Sequence, residues 1–527
     1  MERWRKEAKR RTAVDVLQFE IYIGIVLSYI NIVLQTLSNF IYIPLLLYYI
    51  GKSEYGLYQL IGSMIAYFSV MDFGLSAMVV RFYTKYRMIG DSIGMENILA
   101  VARRCYFGIT CVMLLIGGGL YPFLNDIFGN NMSIKEIDEG EKIYILLLIN
   151  LAITLMGMVY KAVIDSYQRY VFLRGLSAIQ IIMQPVMVAL LLRKYPCAFS
   201  VALVQTIINS LLICIQIYYA NNKLCIHIRF HYWTRQLMME VGRFSLAMIV
   251  VAIVDQLFFQ TNQIILGIID GTAAVAVYAV AANVQKAYMM LSTSVTGVYL
   301  PHITEMIARK ATTDDISQLF IKIGRIQFFI LAMISIGFAI FGKEFIYFWA
   351  GDGFEDAYWI ALLTMIPFTT DLVQNIGFSI LQAMNRFYVR AIILSAVGLL
   401  NLVLAVPLGM KYGGVGCAMA TGFAMFLGNG IGMSFYYGHV LKLHVLTFWY
   451  QISEIILKLA GLFVFWYAVN LQINELVFGG EILLVKLLIY VLTYLFIIYR
   501  WCFNREEKIV VNDTINQLVK KLKTGRD

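Results

Sequence analysis

Polar side chains recur at helical spacing inside the apolar stretches of this chain, where each one needs a partner or water. In the first stretch the spacing i, i+4, i+7, i+8, i+11 places them on one helix face: Asn31, Gln35, Ser38, Asn39 and Tyr42. Two later stretches carry comparable stripes: Asp255, Gln256, Asn262 and Gln263 in one, and Asp371, Gln374, Asn375, Ser379 and Gln382 in the other. Because lipid contact would be unfavourable, each face is expected to line a helix contact or a water-filled cavity.

Six neutral members of these stripes, with an asparagine and a lysine from a further stretch, are candidate substrate-binding residues of a central cavity. The candidates are Lys286, Asn283, Asn262, Gln263, Gln35, Asn31, Gln374 and Asn375. For the amides alone, hydrogen bonding between helices is the favoured interpretation, and contact with a substrate is the alternative.

Asp255 and Lys286 lie about 15 residues before and after the turn at Asp270 and Gly271. Two antiparallel helices joined by that turn would hold both charges about 23 Å below the membrane surface. The sequence therefore predicts that the two side chains are neighbours. They either form a structural ion pair, or Lys286 binds an anionic substrate group and returns to Asp255 when the site is empty.

Asp371 has no basic partner on its own predicted helix, and a lone carboxyl at low dielectric tends to take up a proton. Asp255 and Asp371 are therefore the candidates for a coupling-ion site. Lys161 and Asp165 lie nearer a predicted helix end, where snorkelling or capping is favoured. His227 and His231 lie in an alternating segment without a third ligand, so neither a metal nor a cofactor is expected.

The composition indicates which secondary-structure elements hold these residues. Hydrophobic residues make up 60% of the 527, charged residues 14%, and the mean hydropathy is +0.74, which excludes a soluble protein. Apolar stretches of about 20 residues recur throughout, predicting an all-α membrane protein with about fourteen spans. They lie near 22–47, 57–80, 105–124, 143–163, 175–192, 197–219, 244–268, 273–299, 326–347, 357–381, 390–410, 414–437, 454–471 and 482–499.

The distribution of the 42 lysines and arginines predicts the orientation of these spans. Most fall in segments on one side if the N-terminus is cytoplasmic, so both termini are expected there. The net charge of +10 is then a topology signal with attraction to anionic lipids, and no nucleic-acid partner is expected. The first span is expected to remain uncleaved. The seven cysteines lack CxxC spacing and are expected to be free thiols.

The second half of the chain is a faint copy of the first, about 217 to 220 residues later. Gln168-Arg169-Tyr170 recurs as Asn385-Arg386-Phe387, and Lys194-Tyr195 as Lys411-Tyr412. Six helices per copy predict two lobes in parallel orientation, an arrangement typical of secondary transporters. The predicted parts are a basic N-terminus (1–21), an N-lobe (22–220), a linker (221–243), a C-lobe (244–438), two further helices (439–500) and a basic tail (501–527).

Several short motifs resemble those of a known family. They are Tyr55-Gly56-Leu57-Tyr58, Met71-Asp72-Phe73-Gly74-Leu75 with Arg81, Phe348-Trp349-Ala350-Gly351, and Leu381-Gln382-Ala383-Met384-Asn385-Arg386. The chain resembles the polysaccharide transport family of oligosaccharide-lipid flippases, within the multidrug/oligosaccharidyl-lipid/polysaccharide exporter superfamily. The likeness spans both lobes.

The resemblance implies a pair of six-helix lobes that alternate access across a bacterial inner membrane. It implies outward transport of undecaprenyl-pyrophosphate-linked oligosaccharide units for surface polysaccharide biosynthesis. The expected partners are this polyprenyl-linked glycan, membrane lipids, a glycan polymerase and glycosyltransferases. The first alternative is a cation-coupled multidrug exporter of the same superfamily. The second is a membrane polymerase or acyltransferase, although the predicted external loops are short and no enzymatic activity is expected.

Overall fold

The computed structural model describes residues 2–233, 239, 252–384, 386, 388–476, 479–505, 507–509 and 512–513. All regular secondary structure in these ranges is helical, which confirms the predicted all-α membrane protein. Much of the predicted linker, the start of the predicted span 244–268, two residues of the Asn385-Arg386-Phe387 motif and most of the basic tail lie outside the described residues.

Sixteen α-helices are described. They are α1 (Glu2–Phe68), α2 (Leu75–Ile89), α3 (Ser92–Leu120), α4 (Leu124–Phe128), α5 (Ile134–Ser166), α6 (Tyr170–Leu192), α7 (Ala198–Asn222), α8 (Thr261–Ile269), α9 (Thr272–Ala308), α10 (Thr313–Ala350), α11 (Glu355–Leu372), α12 (Asn375–Ala383), α13 (Tyr388–Met425), α14 (Met433–His439), α15 (Val445–Leu476) and α16 (Gly480–Ile497).

Eleven helices in the described ranges are long and apolar enough to cross a membrane. Two of them, Val26–Ile89 and Tyr388–His439, each cover two of the predicted spans. Gly51 inside α1 has φ 75°, and Gly413 inside α13 has φ 57°. Glycine adopts this left-handed region without a Cβ clash, so each long helix is two helices joined at a glycine.

Three predicted spans are interrupted near their polar residues. The span 57–80 contains Phe73 and Gly74 with positive φ between a short 3-10 turn and α2. The seventh span has a turn at Gln260, immediately before α8. The span 357–381 is divided between α11 and α12. At a helix break, backbone N–H and C=O groups lose their helical hydrogen bonds and side chains change direction. Transporters commonly have binding sites at such breaks.

The chain divides into two compact units. The first comprises Met1–Val280 with Gly398–Ala420, and the second comprises Ala281–Val397 with Thr421–Asp527. In the first unit α1 packs on α6, and α5 packs on α7. In the second unit α10 packs against α11, α12, α15 and α16. The aromatic core of that unit includes Phe320, Phe341 and Phe368, each almost fully buried.

The two predicted C-terminal helices are attached to the second unit by a buried polar triad. Lys486 of α16 donates to Glu344 of α10 at 3.1 Å and to the Asn470 side chain of α15 at 2.9 Å. Asn470 in turn donates to Glu344 at 2.8 Å. All three are at most 7% exposed. A charged pair at membrane depth persists only when it is paired and hydrogen-bonded, so this triad ties α15 and α16 to α10.

The described part of the predicted linker is held against the first unit. Residues 224–233 are not helical. Asn97 of α3 accepts from the backbone N–H groups of His231 and Tyr232 at 2.9 and 3.1 Å, and donates to the Tyr232 carbonyl at 3.0 Å. The Arg104 guanidinium lies 3.6 Å from the centroid of the Phe230 ring. Three backbone groups of this segment are therefore hydrogen-bonded to the side chain of Asn97.

Candidate functional site

The third polar stripe lies where α11 ends and α12 begins. Val373 and Gln374 interrupt the helix, and the Gln374 N–H bonds to the Asp371 carbonyl at 3.0 Å. Asp371, Gln374 and Asn375 are between 2% and 7% exposed. The break therefore presents three predicted site residues together, inside the second unit.

Arg390 of α13 supplies a basic partner for Asp371. One guanidinium nitrogen lies 3.4 Å from the Asp371 carboxylate, and the other donates to the Asn375 side-chain oxygen at 3.2 Å. The guanidinium also lies 4.5 Å from the centroid of the Phe378 ring. The sequence placed Arg390 at the start of a span, and only the fold brings it to a carboxylate on the preceding helix.

Further hydrogen bonds extend this arrangement across the second unit. Asn375 donates to Ser292 at 3.5 Å and to Thr296 at 3.3 Å. Gln327 donates to the Ser292 hydroxyl at 3.1 Å, and that hydroxyl donates to the Leu372 carbonyl at 2.8 Å. We call Asp371, Arg390, Asn375, Ser292, Thr296 and Gln327 the Asp371 network. Ser292, Thr296 and Gln327 were not among the predicted site residues, although Gln327 is a lone amide in a predicted apolar span and could have been detected on that ground.

Gln374 points to a different set of partners. It donates to the Thr370 carbonyl at 2.8 Å and accepts from Ser434 at 2.8 Å. Trp449 donates to the same Ser434 hydroxyl at 3.1 Å. In this conformation Gln374 and Asn375 join helices of one unit, which is the use favoured for amides in the membrane. Their contact with a substrate stays a prediction.

Lys286 of α9 differs from the network residues. Its side chain is exposed, and within the described ranges its ammonium makes no hydrogen bond or ion pair. Asn283, one turn earlier on the same helix, is half-buried. A lysine without a partner in an apolar helix is expected to face water or an anionic ligand.

Some residues of the first stripe, on α1, are hydrogen-bonded to α6, and one is exposed. Asn31 is 8% exposed and donates to the Arg174 carbonyl at 2.9 Å. Gln35 is exposed and donates to Asn39 one turn later at 2.9 Å, while Ser38 donates to the Ile181 carbonyl at 3.2 Å. Asn31 and Ser38 thus fasten α1 to α6, and Gln35 is available for other contacts.

The second stripe lies at the turn before α8. Asn262 and Gln263 are 1% and 4% exposed, and Asn262 donates to the Tyr278 hydroxyl at 2.7 Å. Asp255 is exposed. Asp255 belongs to the first unit and Lys286 to the second, so the pairing of these two residues stays a prediction. The coupling roles of Asp255 and Asp371 also stay predictions.

A tight seam joins the second half of α1 to the turn between α8 and α9. A Cβ on Gly56 would collide with the Thr272 carbonyl. A Cβ on Gly267 would lie 2.6 Å from Leu60. Tyr67 is hydrogen-bonded to Thr261. These contacts, which we call the Gly56 seam, all lie within the first unit.

Polar groups cover one end of the Gly56 seam. Asn131 donates to the Ile268 carbonyl at 2.6 Å, and the Thr272 hydroxyl donates to Glu136 at 2.7 Å. Gly271 has φ 78°, and an added Cβ would lie 2.5 Å from the Asn131 carbonyl. The seam is therefore a closed backbone contact that any side chain at Gly56 would disrupt.

Comparison with solved structures shows a transporter fold. The lipid II flippase MurJ in an inward closed conformation aligns with a TM-score of 0.70 and 15% identity, covering 90% of this chain and 98% of that one. An inward-facing multidrug resistance MATE family transporter of the MOP superfamily aligns at 0.58 and 11%, covering 80% and 99%. The Vibrio cholerae MATE transporter VcmN aligns at 0.53 and 11%, covering 82% and 99%.

Sequence comparison gives the family. No curated protein sequence matches the chain. The model of a family described as polysaccharide biosynthesis protein matches residues 24–307, which is more than half of the 527 residues. The chain is therefore a multi-pass membrane protein that belongs to the polysaccharide biosynthesis protein family and has the fold of MOP-superfamily transporters.

Proposed function

We propose that the protein is a flippase that moves polyprenyl-pyrophosphate-linked oligosaccharide units across the bacterial inner membrane by alternating access. The observation that carries the proposal is the exposed ammonium of Lys286, which has no partner among the described residues and lies in an apolar helix of a chain from a polysaccharide biosynthesis family. A pyrophosphate is an anion that a lysine point charge binds well. The MurJ-like fold supports the same reading.

Different parts of the molecule would perform different steps. Lys286 would attract the pyrophosphate, while the exposed amide of Gln35 and the half-buried amide of Asn283 would offer hydrogen bonds to the carried unit. Asp255 and Asp371 are our candidates for ion coupling. The Gly56 seam holds α1 against the turn between α8 and α9, and alternating access would separate it if these elements move apart. Both termini would be cytoplasmic, as the basic segments favour.

A cation-coupled multidrug exporter is the second candidate, because MATE transporters share the fold. The charge of the candidate site favours the flippase. The exposed membrane charge on α9 is a lysine, whereas an exporter of organic cations requires exposed carboxylates, of which Asp255 is one candidate.

We infer transport rather than a polymerase or acyltransferase activity. Glycosyltransferases would supply the substrate, and a glycan polymerase would consume it.

The proposal is tested by deleting the gene in its host and locating the lipid-linked oligosaccharide by leaflet. Loss of the protein is expected to leave the glycan on the cytoplasmic leaflet, and the wild-type gene is expected to restore its export. If the glycan still reached the outer leaflet in a host without a second carrier, the flippase proposal would be lost. Increased sensitivity to cationic drugs with normal surface polysaccharide would favour the exporter.

A further inference from the structure

A polar cavity of about 300 Å³ lies within the first unit, among α5, α6 and α7. It shares no lining residue with the Asp371 network or with Lys286, which belong to the second unit. Its volume is at the lower end of the range for small-ligand sites. Three charged residues line it: Lys161, Asp165 and Arg174. We call it the Lys161 cavity.

Neutral polar groups complete the wall of the Lys161 cavity. Asn209 of α7 is held by hydrogen bonds of 2.7 Å to both Asn150 and Thr154 of α5. Gln180 and Gln216 also line the space. A Cβ on Gly157, another lining residue, would lie 2.7 Å from Ile213, so α5 and α7 are already in close contact beside the cavity. The helices therefore cannot simply collapse to fill it.

The single carboxylate of the Lys161 cavity offsets only part of its positive charge. Within the described ranges, none of Lys161, Asp165 and Arg174 forms an ion pair. Lys161 and Arg174 are exposed, and Asp165 is half-buried. Two cations against one carboxylate leave a positive balance. The cavity therefore favours an anion, and an arginine fork beside a lysine is suited to phosphate oxygens.

Two other basic residues of the first unit form an ion pair or a cation–π contact, unlike Lys161 and Arg174 within the part of the chain that the structure describes. Arg169 forms an ion pair with Glu20 at 2.7 Å. The Arg87 guanidinium lies 4.6 Å from the centroid of the Tyr167 ring. Lys161 and Arg174 differ from these residues because they line a cavity and, in the described ranges, form neither an ion pair nor a cation–π contact.

The position of the cavity along the helices indicates the source of the anion. Lys161 and Asp165 lie in the last two turns of α5, and Arg174 lies in the second turn of α6. The Glu20 to Arg169 ion pair places the α5–α6 connection beside the N-terminal part of α1. With the N-terminus cytoplasmic, this is the level of the lipid phosphates of the cytoplasmic leaflet, where basic pockets between helices bind anionic headgroups.

We propose that the Lys161 cavity binds the phosphate group of an anionic lipid at the cytoplasmic leaflet. Phospholipid headgroups and polyprenyl phosphate carriers share this chemistry. The Lys161 cavity shares no lining residue with Lys286 or with the Asp371 network, and the proposal depends only on the membrane orientation, so a failure of the flippase proposal would leave it standing.

The test is lipid binding to the purified full-length protein, followed by native mass spectrometry. The probes are phosphatidylglycerol, phosphatidylcholine as the neutral reference, undecaprenyl phosphate and inorganic pyrophosphate. The double variant K161Q/R174Q is expected to bind the anionic lipids about 30-fold more weakly, from a loss of about fivefold for each basic residue. The variant D165N is expected to bind them about fivefold more tightly, because it removes the opposing charge. Phosphatidylcholine binding is expected to change in neither.

The matched control is K85Q/R103Q, which removes two exposed basic residues of the same unit that do not line the cavity. Its affinities are expected to equal those of the wild type. The proposal is overturned if K161Q/R174Q and this control lose affinity equally, or if D165N does not strengthen binding. The expected changes in affinity for anionic lipids have opposite signs for D165N and K161Q/R174Q. The test therefore stays valid if one of the variants folds poorly, because misfolding would not strengthen binding.

Competition identifies the source of the phosphate. Preferential retention of phosphatidylglycerol would assign a phospholipid, and displacement by undecaprenyl phosphate would assign the polyprenyl carrier. Displacement of both lipids by inorganic pyrophosphate at equal concentration would show that a free anion suffices, which would overturn the lipid assignment.

Discussion

Arg390 and Asp371 form an ion pair between α13 and the end of α11, with 3.4 Å between the guanidinium nitrogen and the carboxylate oxygen. The Arg390 side chain is 17% exposed and that of Asp371 is 8% exposed. Another nitrogen of the Arg390 guanidinium donates a hydrogen bond to the side-chain oxygen of Asn375, at the start of α12. One arginine therefore holds together the two sides of a broken helix.

Removing Arg390 alone should destabilise the second unit, because it leaves the Asp371 carboxylate buried without a cation. Arg390→Gln is expected to reduce the free energy of unfolding by about 3 kcal/mol. The double variant R390Q/D371N should recover most of this loss, since neutral amides need no counter-ion. Thermal unfolding in one detergent measures both. The control is Arg309→Gln in the exposed pair with Glu305, which is expected to change stability by less than about 0.5 kcal/mol. Equal effects of R390Q and R309Q would contradict a buried pair.

Asp371 should also affect coupling if a transported ion uses its carboxylate. In vesicles, Asp371→Asn is expected to remove the acceleration of transport by a proton or sodium gradient while basal exchange remains. Asp315→Asn, at an exposed helix cap, is the control and should keep the acceleration. A gradient response in Asp371→Asn equal to that of the wild type would remove Asp371 from the coupling candidates.

The Gly56 seam predicts opposite results for two glycines of one helix. Gly56→Ala places a methyl group against the Thr272 carbonyl, and such overpacking is expected to reduce stability by about 1–3 kcal/mol. Gly62→Ala adds a methyl group where no other atom lies within 4 Å, and should be neutral or stabilise by up to about 1 kcal/mol. Thermal unfolding compares them. Similar melting temperatures for the two variants would show that the seam is not closed as described.

The buried triad makes a prediction about the C-terminal helices. Lys486→Met leaves Glu344 buried without its cation, and the expected loss is about 3–5 kcal/mol. The double variant K486M/E344Q should be close to wild type, because no charge remains to be neutralised. Lys458→Met, at an exposed position of α15, is the control and should have little effect. If K486M and K458M unfold at the same temperature, the triad does not hold α15 and α16 to α10.

Lys286 should be needed for transport and not for folding. Lys286→Gln is expected to reduce flipping about 10- to 100-fold, the value of a charge-assisted hydrogen bond, and Lys286→Arg should retain more activity than Lys286→Gln. Both variants should unfold at the wild-type temperature, because the described structure gives the ammonium no partner. Lys411→Gln, at an exposed helix end, is the control for export.

A charge exchange separates the two interpretations of Lys286 and Asp255. Full transport by D255K/K286D would show a structural ion pair and would contradict a role for Lys286 in substrate binding. Loss of transport by the exchanged variant at normal expression agrees with direct recognition of an anion.

The sequence predicted the polar stripes because helical spacing is a local property. Asn31, Ser38 and Asn375 were identified from residues on their own helices, and all three are hydrogen-bonded in the structure. Their partners were not predictable in the same way. Asn375 meets Ser292 and Thr296 across 83 and 79 residues of chain, respectively, and no periodicity encodes which helices become neighbours.

Helix breaks were missed for a related reason. The residues on both sides of Leu372 to Asn375 are apolar enough for a membrane helix, so hydropathy averaged over the segment predicts one span from 357 to 381. The break is stabilised by contacts from other helices, among them the bonds of Ser434 to Gln374 and of Ser292 to the Leu372 carbonyl. The Phe73-Gly74 break contains a glycine, but glycine is also frequent in uninterrupted membrane helices.

A multi-pass, all-helical membrane protein with polar residues at membrane depth is predictable from the sequence, because apolar length, charge distribution and helical period are properties of the chain itself. Which polar groups are already paired depends on the packing of the helices. This packing gave Asp371 the cation of Arg390, fixed Lys486 in a triad and left Lys286, Lys161 and Arg174 without an ion pair in the described ranges. Charge pairing depends on distances of a few ångströms between separate helices, and only the packing of those helices sets them.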